Sequence, residues 1–213
     1  RKQRGMDAAQ QQQLEVIQQC SNHLLELVNQ VLDFSKIEAR MLKLEAIAFD
    51  LANVLQETQA LHGNAAAAKG LAFSIRVAQG TPERLVGDPL RVKEIIFNLV
   101  SNAIKFTDQG SVQLVLSAQA LESQRALLNI TVRDTGGGIR AEDLARIFDP
   151  FFTTKKRQGT GLGLSISHTL VERYGGRIEV DSAPGEGAAF TVSLLAEPVY
   201  RKDPAPPPGG RED

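Results

Sequence analysis

Tryptophan is absent from this chain of 213 residues, tyrosine occurs twice, and cysteine occurs once. A lone cysteine forms no internal disulfide, so any fold here rests on its hydrophobic core. Cys20, inside an amphipathic pattern, reads as a small buried apolar residue in a reducing compartment. Also missing is any run of ~18 apolar residues, the length a membrane helix needs, and the basic N-terminus lacks the apolar stretch of a signal peptide. A soluble, cytoplasmic piece without membrane contact is expected. Charge of one sign is lacking too: 24 basic residues face 25 acidic ones. That balance offers no field for nucleic acid or an anionic surface, so recognition must come from a local site. A chain of this length buries roughly 70% of its unfolded surface, enough for one globular domain with an appendage.

Proline and glycine are absent from Asp7 to about Leu44. Leu14, Ile17, Ser21, Leu24, Val28, Val31 and Ser35 follow alternating steps of three and four, which predicts one long helix with a bundle or coiled-coil seam. Cys20, Leu27 and Phe34 add a second stripe, wider than a two-stranded seam needs and suited to a four-helix bundle. At 1.5 Å per residue the helix would run roughly 55 Å. It cannot bury both stripes alone, so it must pack on a partner chain or on sequence outside this chain; a homodimer is expected.

Beyond Glu45 the pattern changes. A hinge is read near Ala46–Asp50, then a shorter helix from Leu51 that fades into the Ala-rich stretch before Gly70, and a strand over Leu71–Val77. Asp88-Pro89 reads as an N-cap with proline at the first helical position, opening a helix to about Phe106. Ser111–Ala118 and Ala126–Asp134 alternate as a hairpin. A further helix is predicted from near Thr160 to the Gly175-Gly176 stop, followed by strands over Arg177–Ser182 and Ala188–Leu195. Residues 197–213 hold a Pro-Pro-Pro-Gly-Gly run and read as a linker or disordered tail. The expected division is 1–46, 47–196 and 197–213. The expected class is α+β, a two-layer sandwich with helices on a mixed, mostly antiparallel sheet.

Three clusters carry ligand-type chemistry. On the Asp88 helix, Asn98, Asn102 and Lys105 share a face beside the apolar one; a ligand strip and ordinary solvated surface are both open readings. In the strand ending at Asp134, parity puts that carboxylate on the row of Leu128, Ile130 and Val132. A buried carboxylate needs a donor, and a nucleobase amino group would fit; a plain turn is the alternative. The following glycines, including Gly136 and Gly138, let backbone turn sharply and approach a flat ligand. Gly159-Thr160-Gly161-Leu162-Gly163-Leu164 opens a helix, where free amides favour phosphate. It is neither a Walker loop nor the dinucleotide fingerprint. Between the glycine clusters, Asp149–Thr154 and the basic run Lys155–Arg157 have the composition of a lid over polyphosphate, or of a solvated charge run.

Together these motifs resemble the GHKL ATP-binding family, and within it the sensor histidine kinases. Asn98-Leu99-Val100-Ser101-Asn102-Ala103-Ile104-Lys105-Phe106 is similar to the family's asparagine box. Asp134-Thr135-Gly136-Gly137-Gly138-Ile139 is similar to its first glycine box, Phe148–Phe152 to its phenylalanine box, and Gly159–Leu164 to its second. Leu32–Ala39 is similar to the end of the second dimerisation helix of hybrid-type kinases. The resemblance covers roughly Gln12–Leu195 and implies the GHKL (Bergerat) fold with ATP and Mg²⁺ as cofactors. It implies that Asn98 helps hold Mg²⁺, that Asn102 and Lys105 contact phosphates, and that Asp134 accepts from the adenine amino group. Phe106, Ile139 and Thr191 would line or adjoin the base pocket, while Gly159, Gly161 and Gly163, with Thr160, Leu162 and Leu164 between and beside them, would bind phosphates. Gyrase-like and chaperone-like relatives carry a water-activating glutamate at the position of Asn98, and an amide is no general base; rapid hydrolysis is not expected.

The family's phosphoacceptor, a histidine on the first dimerisation helix followed by an acidic residue and a proline, has no match among His23, His62 and His168. All three read as ordinary helix or surface residues, so no catalytic side chain is assigned. The expectation is an ATP-binding domain that delivers phosphate to a histidine absent from this chain, lost by truncation, and thence to a receiver-domain aspartate, with an inner-membrane sensor as one reading of the parent protein. The competing expectation is a kinase-like module that pairs with another histidine kinase and regulates it.

Overall fold

The structure is a computed structural model that describes residues 44–121, 125–154 and 160–198, with helical positions 13–14, 17–18, 21, 24–25, 28, 31–32 and 35. Cys20, His23, Leu27, Phe34, most of Leu32–Ala39, the Lys155–Arg157 run, Gly159 and the tail beyond Pro198 lie outside the described residues. Two compact units divide the chain. One comprises Arg1–Lys43 with Ala145–Thr169, the other Leu44–Leu144 with Leu170–Asp213.

The larger unit is built on a sheet of seven strands: β1 (Ile47–Asp50), β2 (Ala72–Val77), β3 (Arg84–Gly87), β4 (Ser111–Ala120), β5 (Ala126–Asp134), β6 (Arg177–Ser182) and β7 (Ala188–Pro198). Their order is β1-β3-β7-β5-β4-β2, with β6 also paired to β7. Only β2 and β4 run parallel; the other pairs are antiparallel. The mixed, mostly antiparallel α+β sheet is the expected class. β1 and β3 were not foreseen, and the first lies where a hinge is read. Each has only four residues, too few for alternation to register, and their mutual pairing is a long-range contact without local signature.

Helix α1 (Leu51–Ala68) starts at Asp50, whose carboxylate accepts from the Ala52 N–H at 2.9 Å. It stays regular through the Ala-rich stretch, to Ala68. Alanine is the best helix former, so the Ala-rich stretch continues it until Gly70, with φ 71°, reverses the chain. The Leu71 N–H then bonds back to the Ala66 carbonyl at 3.0 Å, a Schellman closure.

Helix α2 (Pro89–Phe106) has Asp88 as its N-cap, accepting from the Arg91 N–H at 3.2 Å. One face of α2 buries Val92, Ile95, Ile96, Leu99 and Ala103; α2 packs on β4, β5 and α1. On β5 the residues Ala126, Leu128, Ile130, Val132 and Asp134 are buried in strict alternation. Each large aliphatic side chain so buried contributes ~1.5–3 kcal/mol, so α2 is fixed on the sheet by its apolar face and presents its polar strip elsewhere. A short helix α3 (Ala141–Leu144) follows β5, held by an ion pair of Arg140 Nε with Asp143 at 2.8 Å; four residues carry no periodicity to reveal it.

Helix α4 (Gly163–Arg173) begins three residues later than the sequence suggests. Gly161 has φ 71°, which no helix accommodates. Its far end closes as expected, with Gly175 at φ 64° and the Gly176 N–H on the Val171 carbonyl at 2.9 Å.

Candidate nucleotide site

In the larger unit the site grows from the end of β5. Asp134 is only 7% exposed, although it ends a strand and precedes glycines. Burial pushes its carboxyl above the ordinary range, and hydrogen bonds from the Gly136 N–H, the Ala188 N–H and the Thr107 hydroxyl oppose that rise. The Gly136 bond is 2.8 Å long. A carboxylate desolvated yet partly bonded is poised to accept one more donor, the chemistry of an exocyclic amine.

The backbone around Asp134 is drawn tight. A methyl group on Gly136 would stand 2.6 Å from the Phe106 carbonyl oxygen and 2.9 Å from Asp134 Oδ1. The end of α2 and the first glycine turn are therefore in contact. Gly138 has φ 68°, and its side-chain position is filled by the Ala183 carbonyl at 2.0 Å. Gly187 backs directly onto the Asp134 carbonyl in the same way, at 2.1 Å. Here glycine is a steric requirement.

On α2, Asn98, Asn102 and Lys105 are all half-buried, and Lys105 Nζ lies 5.2 Å from the centroid of the partly exposed Phe106 ring. Amide oxygens and an ammonium on one strip suit a phosphate-bound cation and phosphate oxygens. Among the described residues no group of three or more His, Cys, Asp or Glu could hold a metal by itself. Mg²⁺ in nucleotide sites typically keeps one or two protein ligands and takes the rest from phosphates and water, so a single Asn98 oxygen fits that role.

Thr191 is not brought to this wall. It pairs with Thr131, their hydroxyls 3.2 Å apart, whereas Asp134 pairs with Ala188 three residues away. An odd offset along a strand puts Thr191 on the opposite face of the sheet. Ala188 stands in its place beside Asp134. Thr107, fully buried with its hydroxyl on the Ala103 carbonyl at 2.7 Å, was missed, as was Ser182. The one signal for Thr107 was its place directly after the helix end, where a hydroxyl commonly closes a turn.

In the smaller unit the second glycine cluster is also sterically specified. At Gly161 a methyl group would stand 2.5 Å from the Phe151 carbonyl carbon and 2.6 Å from the Phe152 oxygen. Phe151 itself has φ 67°, uncommon for an aromatic residue, and is 64% exposed. Its N–H bonds to the Gly161 carbonyl at 3.0 Å. Thr160 Oγ1 accepts from the Leu162 N–H at 3.2 Å; Leu162 is buried, and Gly163 and Leu164 are half-buried. The Phe148 and His168 rings lie 4.9 Å apart, and the Arg146 guanidinium sits 4.8 Å from the Phe152 ring centroid.

No helix among the described residues is long and apolar enough to cross a membrane. Residues 87–198 match the family described as Histidine kinase-, DNA gyrase B-, and HSP90-like ATPase. Residues 3–40 match the His Kinase A (phospho-acceptor) domain. The sensor histidine kinase GacS of Pseudomonas protegens is 43% identical over 207 residues, covering 93% of this chain and 22% of that protein. The signal transduction histidine-protein kinase BarA of Escherichia coli K12 is 39% identical over 186 residues, covering 85% and 20%. The chain thus spans about a fifth of the length of the curated relatives it matches. A crystal structure of full-length ShkA in complex with AMPPNP superposes with a TM-score of 0.76 at 30% identity, over 92% of this chain and 41% of that one. The first of these family models covers more than half of the chain, and the chain belongs to the histidine kinase-, DNA gyrase B- and HSP90-like ATPase family.

Proposed function

We propose that this domain binds Mg²⁺-ATP and passes the γ-phosphate to a histidine of a dimerisation helix outside this chain, from which a receiver-domain aspartate takes it in a hybrid-type, membrane-anchored parent. The observation that carries the reading is the buried Asp134 carboxylate beside a turn whose Gly136 and Gly138 leave no room for a side chain. Asp134 accepts from the adenine amino group, with Phe106 and Ile139 beside the base. Asn102 and Lys105 bind phosphate oxygens, and Asn98 holds the cation. Gly159, Thr160, Gly161, Leu162, Gly163 and Leu164 supply backbone amides and their spacing for the phosphates. Bound Mg²⁺ supplies neutralisation of phosphate charge. The protein's own part is positioning and electrostatics, which is most of what phosphoryl transfer asks. The exposed apolar row Leu14, Ile17, Leu24 and Val28 supports pairing of the parent through its N-terminal helix.

The test is calorimetric titration of Mg²⁺-ATP into the wild-type chain, followed by transfer of labelled γ-phosphate to a supplied first dimerisation helix bearing its histidine. Binding with transfer supports the reading. Binding without transfer leaves room for a module that regulates another kinase, and no binding by the folded chain overturns the active-domain reading in favour of that module.

A further inference from the structure

Ser182, at the end of β6, belongs to none of the nucleotide motifs, yet its hydroxyl joins two of the segments that form the base wall. It accepts from the Ile139 N–H at 2.9 Å and donates to the Gly187 carbonyl at 2.6 Å. Ile139 ends the first glycine turn; Gly187 lies against the Asp134 carbonyl. The same turn meets the hairpin twice more, through the Gly185 N–H on the Gly137 carbonyl at 2.8 Å and through the close approach of Gly138 to Ala183. Asp134, the glycine turn and the β6–β7 hairpin thus form one closed ring, in which the Asp134 carboxylate bonds the near end of the turn and Ser182 bonds its Ile139 end to the hairpin.

We infer that Ser182 is a positioning residue for base recognition: it holds the Ile139 end of the glycine turn at a fixed distance from the Asp134 carboxylate. The inference rests on the nucleotide reading above. Without the hydroxyl, a half-buried N–H and a carbonyl lose their partner, and three consecutive glycines leave the Ile139 end of the turn held only indirectly, through the Gly136 and Gly185 N–H bonds further back in the turn. The turn then samples positions in which Ile139 and Asp134 no longer flank one plane. Threonine preserves the hydroxyl and suits a strand end.

The experiment is calorimetric titration of Mg²⁺-ATP into the full chain as wild type, Ser182→Ala, Ser182→Thr, Asp134→Asn and the Ser182→Ala/Asp134→Asn double variant, each checked for folding. Ser182→Ala should weaken ATP about tenfold, the loss expected for one well-placed buried hydrogen-bonding group. Ser182→Thr should bind like wild type. In the Asp134→Asn background the same alanine substitution should cost less than about twofold, because both act through the base contact. A tenfold loss in both backgrounds would mean a merely structural role and overturns the inference, as does an alanine variant that binds like wild type or a threonine variant as weak as alanine. Should the alanine variant not fold, Ser182→Cys, of similar volume but weaker bonding, takes its place with the same expectations. A folded wild type that does not bind ATP removes the nucleotide reading and this inference together.

Discussion

The ammonium of Lys69 closes the C-terminal end of helix α2 through the Ile104 carbonyl, 2.8 Å from Nζ. It reaches the Lys105 and Thr107 carbonyls as well, at 3.2 and 3.1 Å. The last carbonyls of a helix lack intrahelical partners and carry the negative end of the dipole, so a three-donor cation satisfies both needs. Lys69 itself caps α1, which ties the ends of the two helices together. Lys69→Met should destabilise the domain by ~1–2 kcal/mol in urea denaturation. Lys69→Arg should recover part of that loss.

Asp134→Asn separates function from stability. Burial raises this carboxyl's folded pKa above its ordinary 3.8. The folded state therefore binds the proton more tightly than the unfolded chain, and stability falls as pH rises from 3.8 through the raised value. At neutral pH the ionised group is a cost to the empty fold. Asparagine keeps an oxygen for the Gly136 N–H but, in the proposed site, would turn a donor toward the adenine amine. ATP affinity should fall about tenfold or more, the worth of ~1.5 kcal/mol or above for a charged hydrogen bond. The melting temperature without nucleotide should not fall, and a clear drop would show that Asp134 is structural.

His62 answers to pH with the opposite sign. Its ring is 8% exposed, meets Phe97 edge-on at 5.0 Å, and its Nε2 finds no hydrogen-bond partner among the described residues. Burial lowers its pKa below the ordinary 6.5. Stability is then fully present above pH 6.5 and lost as pH falls through 6.5 toward the lowered folded value, because only the unfolded state gains the proton. Urea titrations at neutral and mildly acidic pH should show that loss in the wild type and a smaller one in His62→Phe, which keeps the ring contact. Equal pH slopes would exclude His62 as the source.

The glycines in the first box are not equivalent. Gly138→Ala places a methyl on the Ala183 carbonyl at a backbone angle of φ 68°. That should cost at least ~2 kcal/mol, since the left-handed conformation alone costs an alanine ~1–2. At Gly137 nothing lies within 4 Å of the added methyl, so Gly137→Ala should change stability by no more than about 0.5 kcal/mol. Comparing the two melting temperatures checks the turn directly.

Much of this was legible from local pattern. The Asp88 cap, the apolar face of α2 and the burial of Asp134 by strand parity each follow from spacing within one element. What escaped depends on which element meets which. Thr191 shares a motif-rich segment with the base wall, but sheet parity turns it away, and parity cannot be applied across strands until the register Asp134 to Ala188 is known. Lys69 and Ser182 were invisible for the same reason: their partners lie 35 and 43 residues away in the sequence. A lone lysine after an alanine run and a serine after a short strand have no periodic signature.

The N-terminal helical positions pose a burial problem. In the single chain Leu14, Ile17, Leu24, Val28 and Val31 are 47–61% exposed, and they follow the three-and-four spacing of a bundle seam. An apolar row of this length left in water forfeits ~1.5–3 kcal/mol for each large side chain that could be buried. Pairing with a second copy removes that cost without altering the catalytic domain. Leu24→Glu with Val28→Glu places two charges in the seam, and in sedimentation equilibrium the wild type should behave as a dimer and the double variant as a monomer. Their ATP affinities should agree, because neither position belongs to the nucleotide wall. A wild type that stays monomeric at every concentration would show that the row is covered by a segment other than its own copy, and the regulatory-module reading would gain accordingly.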